Sequence, residues 1–227
     1  MLLISVFLTG CSLPWRSAGP ATEVNLSFTL ENNLLFLPTA QINGRAGRYF
    51  FGSAAAHSVL DPKFAQTTPA RAYRLQLNER DSVSLSPVVL PLAGLGDAMI
   101  GADAWSRHAV TIDYRSGLLS FQKEGIHPAY MSLFEFEGEP AILVEVDGRT
   151  VSAVVDTAVP DTLVLPGGEG RRSAHVVIAG SDLGKVDVAQ ANIPRARVGN
   201  RLLSKFLVTI DYGRQQVGLW RDPRIAL

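Results

Sequence analysis

Along most of the chain apolar residues come in short runs, each closed off by Gly, Pro, Asn or Asp. Leu34–Leu37, Ala40–Ile42, Tyr49–Phe51, Val88–Leu90, Leu143–Val146, His175–Ile178 and Val217–Trp220 are clear examples. Runs this short, rich in Val, Ile and Leu, predict strands. No apolar stripe at helical spacing lasts beyond a few turns. Ala102–His108 and Asn200–Phe206 read as short helices, opened by Asp103 or Asn200 as N-cap. The pattern predicts an all-β chain.

It also repeats. Asn43-Gly44-Arg45 matches Asp147-Gly148-Arg149, and Pro62 matches Pro166, both at an offset of 104 (147 − 43 and 166 − 62). Met99–Tyr114 matches Arg197–Tyr212 at an offset of 98 (211 − 113). Within that match Val110-Thr111-Ile112-Asp113-Tyr114 and Val208-Thr209-Ile210-Asp211-Tyr212 are identical. An internal duplication accounts for both matches, with a connection six residues shorter in the second copy (104 − 98). The duplication divides the chain after its first 24 residues into two units, residues 25–126 and 127–227.

Residues 1–10 are an apolar run too short to span a bilayer. The run ends Leu8-Thr9-Gly10-Cys11, which resembles a bacterial lipobox, where cleavage leaves Cys11 as the lipidated first residue. Ser12 after the cysteine, by analogy with the sorting rule of Gram-negative lipoproteins, implies an outer-membrane anchor facing the periplasm. Residues 11–24, with Ser, Pro and Gly, read as a tether. Cys11 is the only cysteine, so a lipidated chain has no free thiol for a disulfide, a nucleophile or a thiolate metal site.

Composition narrows the choices further. The 227 residues are 47% hydrophobic and 19% charged with formal net charge +0, enough for a core in one unit or two small lobes. Without a basic excess nucleic acid is not an expected partner, and there is no acidic block. HExxH, G-x-S-x-G and Walker patterns are missing, and His57, His108, His127 and His175 are scattered without ligand spacing. No metal or cofactor is expected.

Chemistry concentrates in Val151–Pro166, VSAVVDTAVPDTLVLP. An apolar strand runs into Asp156-Thr157-Ala158, and a second apolar run, Thr162 to Leu165, follows. A carboxylate at the end of a buried strand is costly unless it is hydrogen-bonded or used. Asp147-Gly148 just upstream is a hairpin turn. The stretch resembles the active-site loop of aspartic peptidases of the retropepsin and pepsin type, Asp-Thr/Ser-Gly between two hydrophobic strands. Ala196-Arg197-Val198-Gly199 and Phe206–Tyr212 resemble the later apolar-Gly element and "VTIDY" strand of bacterial retropepsin-like families. With the duplication, the resemblance covers nearly the whole chain after the tether, as two retropepsin-like lobes fused in tandem, and implies two small antiparallel β-barrel lobes facing each other across a cleft.

The resemblance implies a dyad of carboxylates, one per lobe, sharing a proton over one water because like charges so close cannot both ionise. Its second residue, Thr or Ser, braces the loops, and its third is small so that backbone and substrate approach. The second lobe supplies Asp156, Thr157 and Ala158. The offset of 104 sets Gly52-Ser53-Ala54 opposite them, keeping the hydroxyl and the small residue but losing the carboxylate. Asp156 is thus half a dyad. Asp61 falls at the far end of the next strand, out of reach of that water; His57 reads as a loop or surface residue, Asp161 as a solvated turn carboxylate, and Asp113 and Asp211 as turn formers. Three functions follow: an aspartic peptidase, by residual activity or by pairing Asp156 of two molecules in a homodimer; an inactive relative binding extended peptides in the cleft; and a structural envelope component.

Overall fold

A computed structural model gives the fold and describes residues 24–105, 108–122 and 131–221. The lipobox with Cys11, the tether up to its last residue, and His127 lie outside the described residues. The first half opens with β1 (Val24–Ser27), β2 (Thr29–Glu31), β3 (Leu34–Phe36), β4 (Gln41–Ile42), β5 (Arg45–Ala46) and β6 (Tyr49–Phe51). It continues through β7 (Val59–Leu60), α1 (Pro62–Thr67), β8 (Tyr73–Gln76), β9 (Ser82–Leu85), β10 (Val88–Val89) and β11 (Ala98–Ile100). A 3-10 turn, Ala102–Ala104, leads into β12 (Ala109–Asp113) and β13 (Leu118–Gln122). The second half has β14 (Ser132–Glu135), β15 (Ala141–Val146), β16 (Arg149–Val155), β17 (Leu163–Pro166), β18 (Gly170–Ile178) and β19 (Ser181–Ala191). It ends with β20 (Ala196–Val198), α2 (Asn200–Leu203), β21 (Leu207–Asp211) and β22 (Gln216–Trp220). The described chain is all-β, and each of the seven short apolar runs from Leu34–Leu37 to Val217–Trp220 overlaps a strand.

The identical segments meet. A six-stranded sheet, β1-β13-β12-β21-β22-β14, joins the halves through antiparallel pairing of β12 with β21. Thr111 faces Thr209, its own counterpart at the offset of 98, and their hydroxyls hydrogen-bond at 2.8 Å. The pseudo-two-fold axis relating the copies passes between them. Val110, Ile112, Val208 and Ile210 are fully buried beside it, in one apolar core that runs through both lobes. The two hairpin turns repeat as well: Asn43-Gly44 (φ 51° and 77°) and Asp147-Gly148 (φ 49° and 76°) share the positive-φ pair such turns need.

The lobes close differently. In the second, β15-β16-β20-β17-β19-β18 form a closed barrel. In the first, where a second barrel was expected, the corresponding strands instead split into β10-β7-β11-β6-β3-β2 and β5-β4-β8-β9. Pairing registers explain the split. Tyr73↔Leu85 corresponds to Ala174↔Val186 at an offset of 101 (174 − 73 and 186 − 85). At that offset Pro69 and Pro87 stand where Gly170 and Val188 continue the long β18–β19 ladder. Proline brings no N–H to a ladder, so pairing stops. The Phe64 side chain of α1, buried and edge-on to Tyr49, fills the core there.

Two further sequence expectations need correction, and one element was not expected. Met99 pairs with Val59, whereas Arg197 pairs with Val164, so the offset is 105 there (164 − 59) and Asp61, not Pro62, is the counterpart of Pro166. The second copy has one extra residue in the preceding loop. Asp103 and Asn200 are not N-caps: Gly101 and Gly199 take those positions in extended conformation, and the two polar side chains are buried in other bonds. The helix α1, capped by Asp61 onto the Lys63 N–H, was not read from the sequence because six residues with one buried anchor carry no periodicity.

Candidate functional site

The two loops leave equivalent strands. β6 delivers Gly52, whose N–H donates to Ile100 O at 2.9 Å, and β16 delivers Asp156, whose N–H donates to Val198 O at 3.0 Å. The following residues lock together across the pseudo-axis. The Ser53 N–H donates to Thr157 Oγ1 (2.9 Å) and the Thr157 N–H to Ser53 Oγ (3.0 Å). In turn Ser53 Oγ donates to Val155 O (2.6 Å) and Thr157 Oγ1 to Phe51 O (2.8 Å). Each hydroxyl donates once and accepts once, and both residues are buried. A valine or alanine in either place would leave two buried backbone groups of the opposite loop unpaired.

A second ring of bonds holds this brace. Tyr212 OH donates to Ser53 O at 2.7 Å. Its counterpart Tyr114 donates to Asn200 Oδ1 at 2.8 Å, and Asn200 Nδ2 donates to both Thr157 O and Asn33 O at 2.6 Å. Burial pushes both phenols well above the ordinary tyrosine range, which keeps them as donors. The sequence carried a signal for the tyrosines, the last residues of the identical run. It carried none for Asn200, whose counterpart at the offset of 98 is Ala102.

The partner positions diverge. Asp156, 6% exposed, accepts the Ala158 N–H on Oδ1 at 2.9 Å, while its Oδ2 is bound by Arg197 Nη1. Arg197 Nη2 also reaches Glu139 (3.4 Å), which Arg195 approaches from its other oxygen (3.3 Å). The counterpart of Arg197 is Met99. A Cβ built on Gly52 falls 2.8 Å from both Cγ and Sδ of Met99. The space beside residue 52 is therefore already filled by Met99. One lobe sets Asp against Arg; the other sets Gly against Met. A guanidinium has donors and no acceptor, so Arg197 cannot share a proton with Asp156 as a second carboxyl would.

Ala54 and Ala158 follow the brace, both half-buried. Ala158 packs on an apolar cluster of the first lobe made by Leu34, Phe36, Phe50, Val59 and Leu92. His57 is exposed. Asp61 also accepts the Leu92 N–H, Asp161 is ion-paired with Arg171 at 2.8 Å, and Asp113 and Asp211 accept backbone N–H groups of their turns. Asp103 is buried, accepting from the N–H and hydroxyl of Ser58 and from the Ser86 N–H, and desolvation raises its pKa. Among the described residues no three His, Cys, Asp or Glu side chains gather to hold a metal, and no helix is long and apolar enough to cross a membrane. Neither the protein-family models nor the curated proteins compared with the chain give a match.

Proposed function

We propose that this chain is a non-hydrolysing relative of the two-lobe aspartic peptidases. On this reading it binds extended peptide segments between its lobes and is held at the bacterial envelope, facing the periplasm, by a lipid on Cys11. The observation that carries the first part is the ion pair of Asp156 with Arg197, set against a Gly52 whose neighbouring space Met99 fills. The brace of Ser53 and Thr157 persists beside it, which is what an architecture keeps when its shape is used and its chemistry is not. The same brace ties the Gly52 loop to the Asp156 loop within one chain, which works against pairing two Asp156 side chains in a homodimer.

Digests of casein and of reduced, carboxymethylated lysozyme, followed by mass spectrometry from acid to neutral pH, are expected to show no cleavage. Cleavage that rises with protein concentration and disappears in Asp156→Asn would refute this reading in favour of a dimeric peptidase. Panning a random peptide library on the intact chain should enrich extended, β-prone sequences, and failure to enrich any would leave the structural role. The anchor is tested separately: mass spectrometry of the N-terminal peptide should find lipid on Cys11, and Cys11→Ala should leave the membrane fraction.

A further inference from the structure

Among the described residues, the break in the first lobe leaves a strand with one side unused. In β10 the Val88 N–H donates to Ser58 O (2.9 Å) and the Leu90 N–H to Leu60 O (3.1 Å), so the alternate residue, Val89, directs its N–H and C=O away from β7. β10 is the outermost strand of its sheet, and Val89 is 51% exposed. Val88 and Leu90 rest on the apolar cluster that also takes Met99 and Ala158, so this edge is continuous with the floor beside the two loops.

The second lobe shows what such an edge accepts. At the offset of 101, Val88 and Val89 correspond to Ala189 and Gln190. Those residues pair on one side with β17 and on the other with an antiparallel strand, Arg171↔Ala189 and Gly170↔Gln190. The first lobe cannot supply that strand itself, because Pro69 stands at the place of Gly170 and Pro87 at that of Val188. Its residues 69–72 run exposed outside any strand. Pro87 and Pro91 also bracket the edge, limiting the open ladder to Val88–Leu90 and blocking extended sheet growth between copies.

We propose that the outer edge of β10 is a strand-addition site for an extended segment of another polypeptide. The segment runs antiparallel to Val88–Leu90, taking opposite Val88 and Val89 the places that Arg171 and Gly170 fill in the second lobe. It exchanges two backbone hydrogen bonds with Val89, and apolar side chains at the flanking positions lie beside Val88 and Leu90. The class of occupant rests on the peptide-binding reading above; the location does not.

The probe is a fluorescein-labelled heptapeptide, Lys-Thr-Val-Thr-Val-Thr-Lys, titrated into the full chain, with amide hydrogen exchange read in parallel. Saturable binding with new protection at the Val89 amide is expected. Val89→Pro removes the outward N–H from a position whose N–H has no ladder role, and should weaken binding at least tenfold with the melting temperature held. Val89→Thr should stay within twofold of wild type, and N-methylation of the central threonine or its neighbours should abolish binding for at least one register. Binding that survives Val89→Pro but is lost in Met99→Glu would move the peptide to the cleft, overturning the edge and leaving the peptide-binding reading intact. No binding of the probe by wild type would overturn the edge, and only failure of the library panning as well would remove both.

Discussion

Arg197→Met asks whether the second lobe depends on its ion pair, because it installs the residue that the first lobe uses at the same place. Asp156 would keep the Ala158 N–H and lose its guanidinium at a site where its side chain is 8% exposed. Removing one partner of a buried pair costs about 3–5 kcal/mol, because the remaining charge is desolvated without compensation. The Arg197 side chain is 23% exposed, so water partly replaces it and the lower end of the range, about 3 kcal/mol, is expected. For a chain of this size, each kcal/mol lowers the melting temperature by about 2–4 °C, so a loss of roughly 6–12 °C should be seen in thermal unfolding. The second step is more discriminating. Asp156→Gly combined with Arg197→Met copies Gly52 and Met99 and leaves no buried charge, so more than half of the loss should return, the remainder including about 0.5–1 kcal/mol for an added glycine. If Arg197→Met melts with wild type, or the double variant is no better than the single one, the ion pair does not hold this loop.

The converse exchange should hold in the first lobe: Gly52→Asp forces Met99 aside and buries a lone carboxylate, so it should destabilise, while Gly52→Asp with Met99→Arg should recover most of the melting temperature. Tyr212→Phe strips the donor from the buried Ser53 carbonyl, and urea unfolding should register about 1–3 kcal/mol. A change below about 0.5 kcal/mol would show that the outer ring does not support the brace. Asp103 has its carboxyl pKa raised in the fold, first by desolvation. Its linkage therefore favours the fold fully below the unfolded value and is lost as pH climbs through the raised folded value. Stability measured against pH should fall across that window in wild type, and the fall should be missing from Asp103→Asn, whatever its absolute stability.

The strands, the duplication and the brace were legible for a shared reason: each leaves a mark at fixed sequence spacing. Val, Ile and Leu runs mark strands because a buried strand must be apolar, and the offset of 104 singled out Ser53 and Thr157 before any distance was known. What the sequence hid depends on which side chain reaches which. Arg197 looked like one polar residue within an apolar-Gly element, and only the fold turns it onto Asp156. Asn200 and Asp103 sat where capping residues are common, so a local rule explained them, yet tertiary contacts claim both side chains. The one-residue slip between Pro62 and Pro166 was invisible because two prolines coincided by chance, while the strand register counts residues without regard to type.

The seam between the lobes also governs how the molecule must be made. β12 emerges from the ribosome nearly a hundred residues before its partner β21 (209 − 111 = 98). Until then β12, Ala109–Asp113, is paired with β13 on one side only, and its open edge awaits a native partner with the same VTID sequence that it carries itself. A second nascent chain offers that sequence too. Pairing of β12 with β12 between two chains satisfies the same ladder, so the segment that joins the lobes is also a ready route to swapped or aggregated species. Closure of the seam spans a long loop and is slow by that measure. The yield of refolding should therefore fall as protein concentration rises, while the stability of the finished fold stays independent of it.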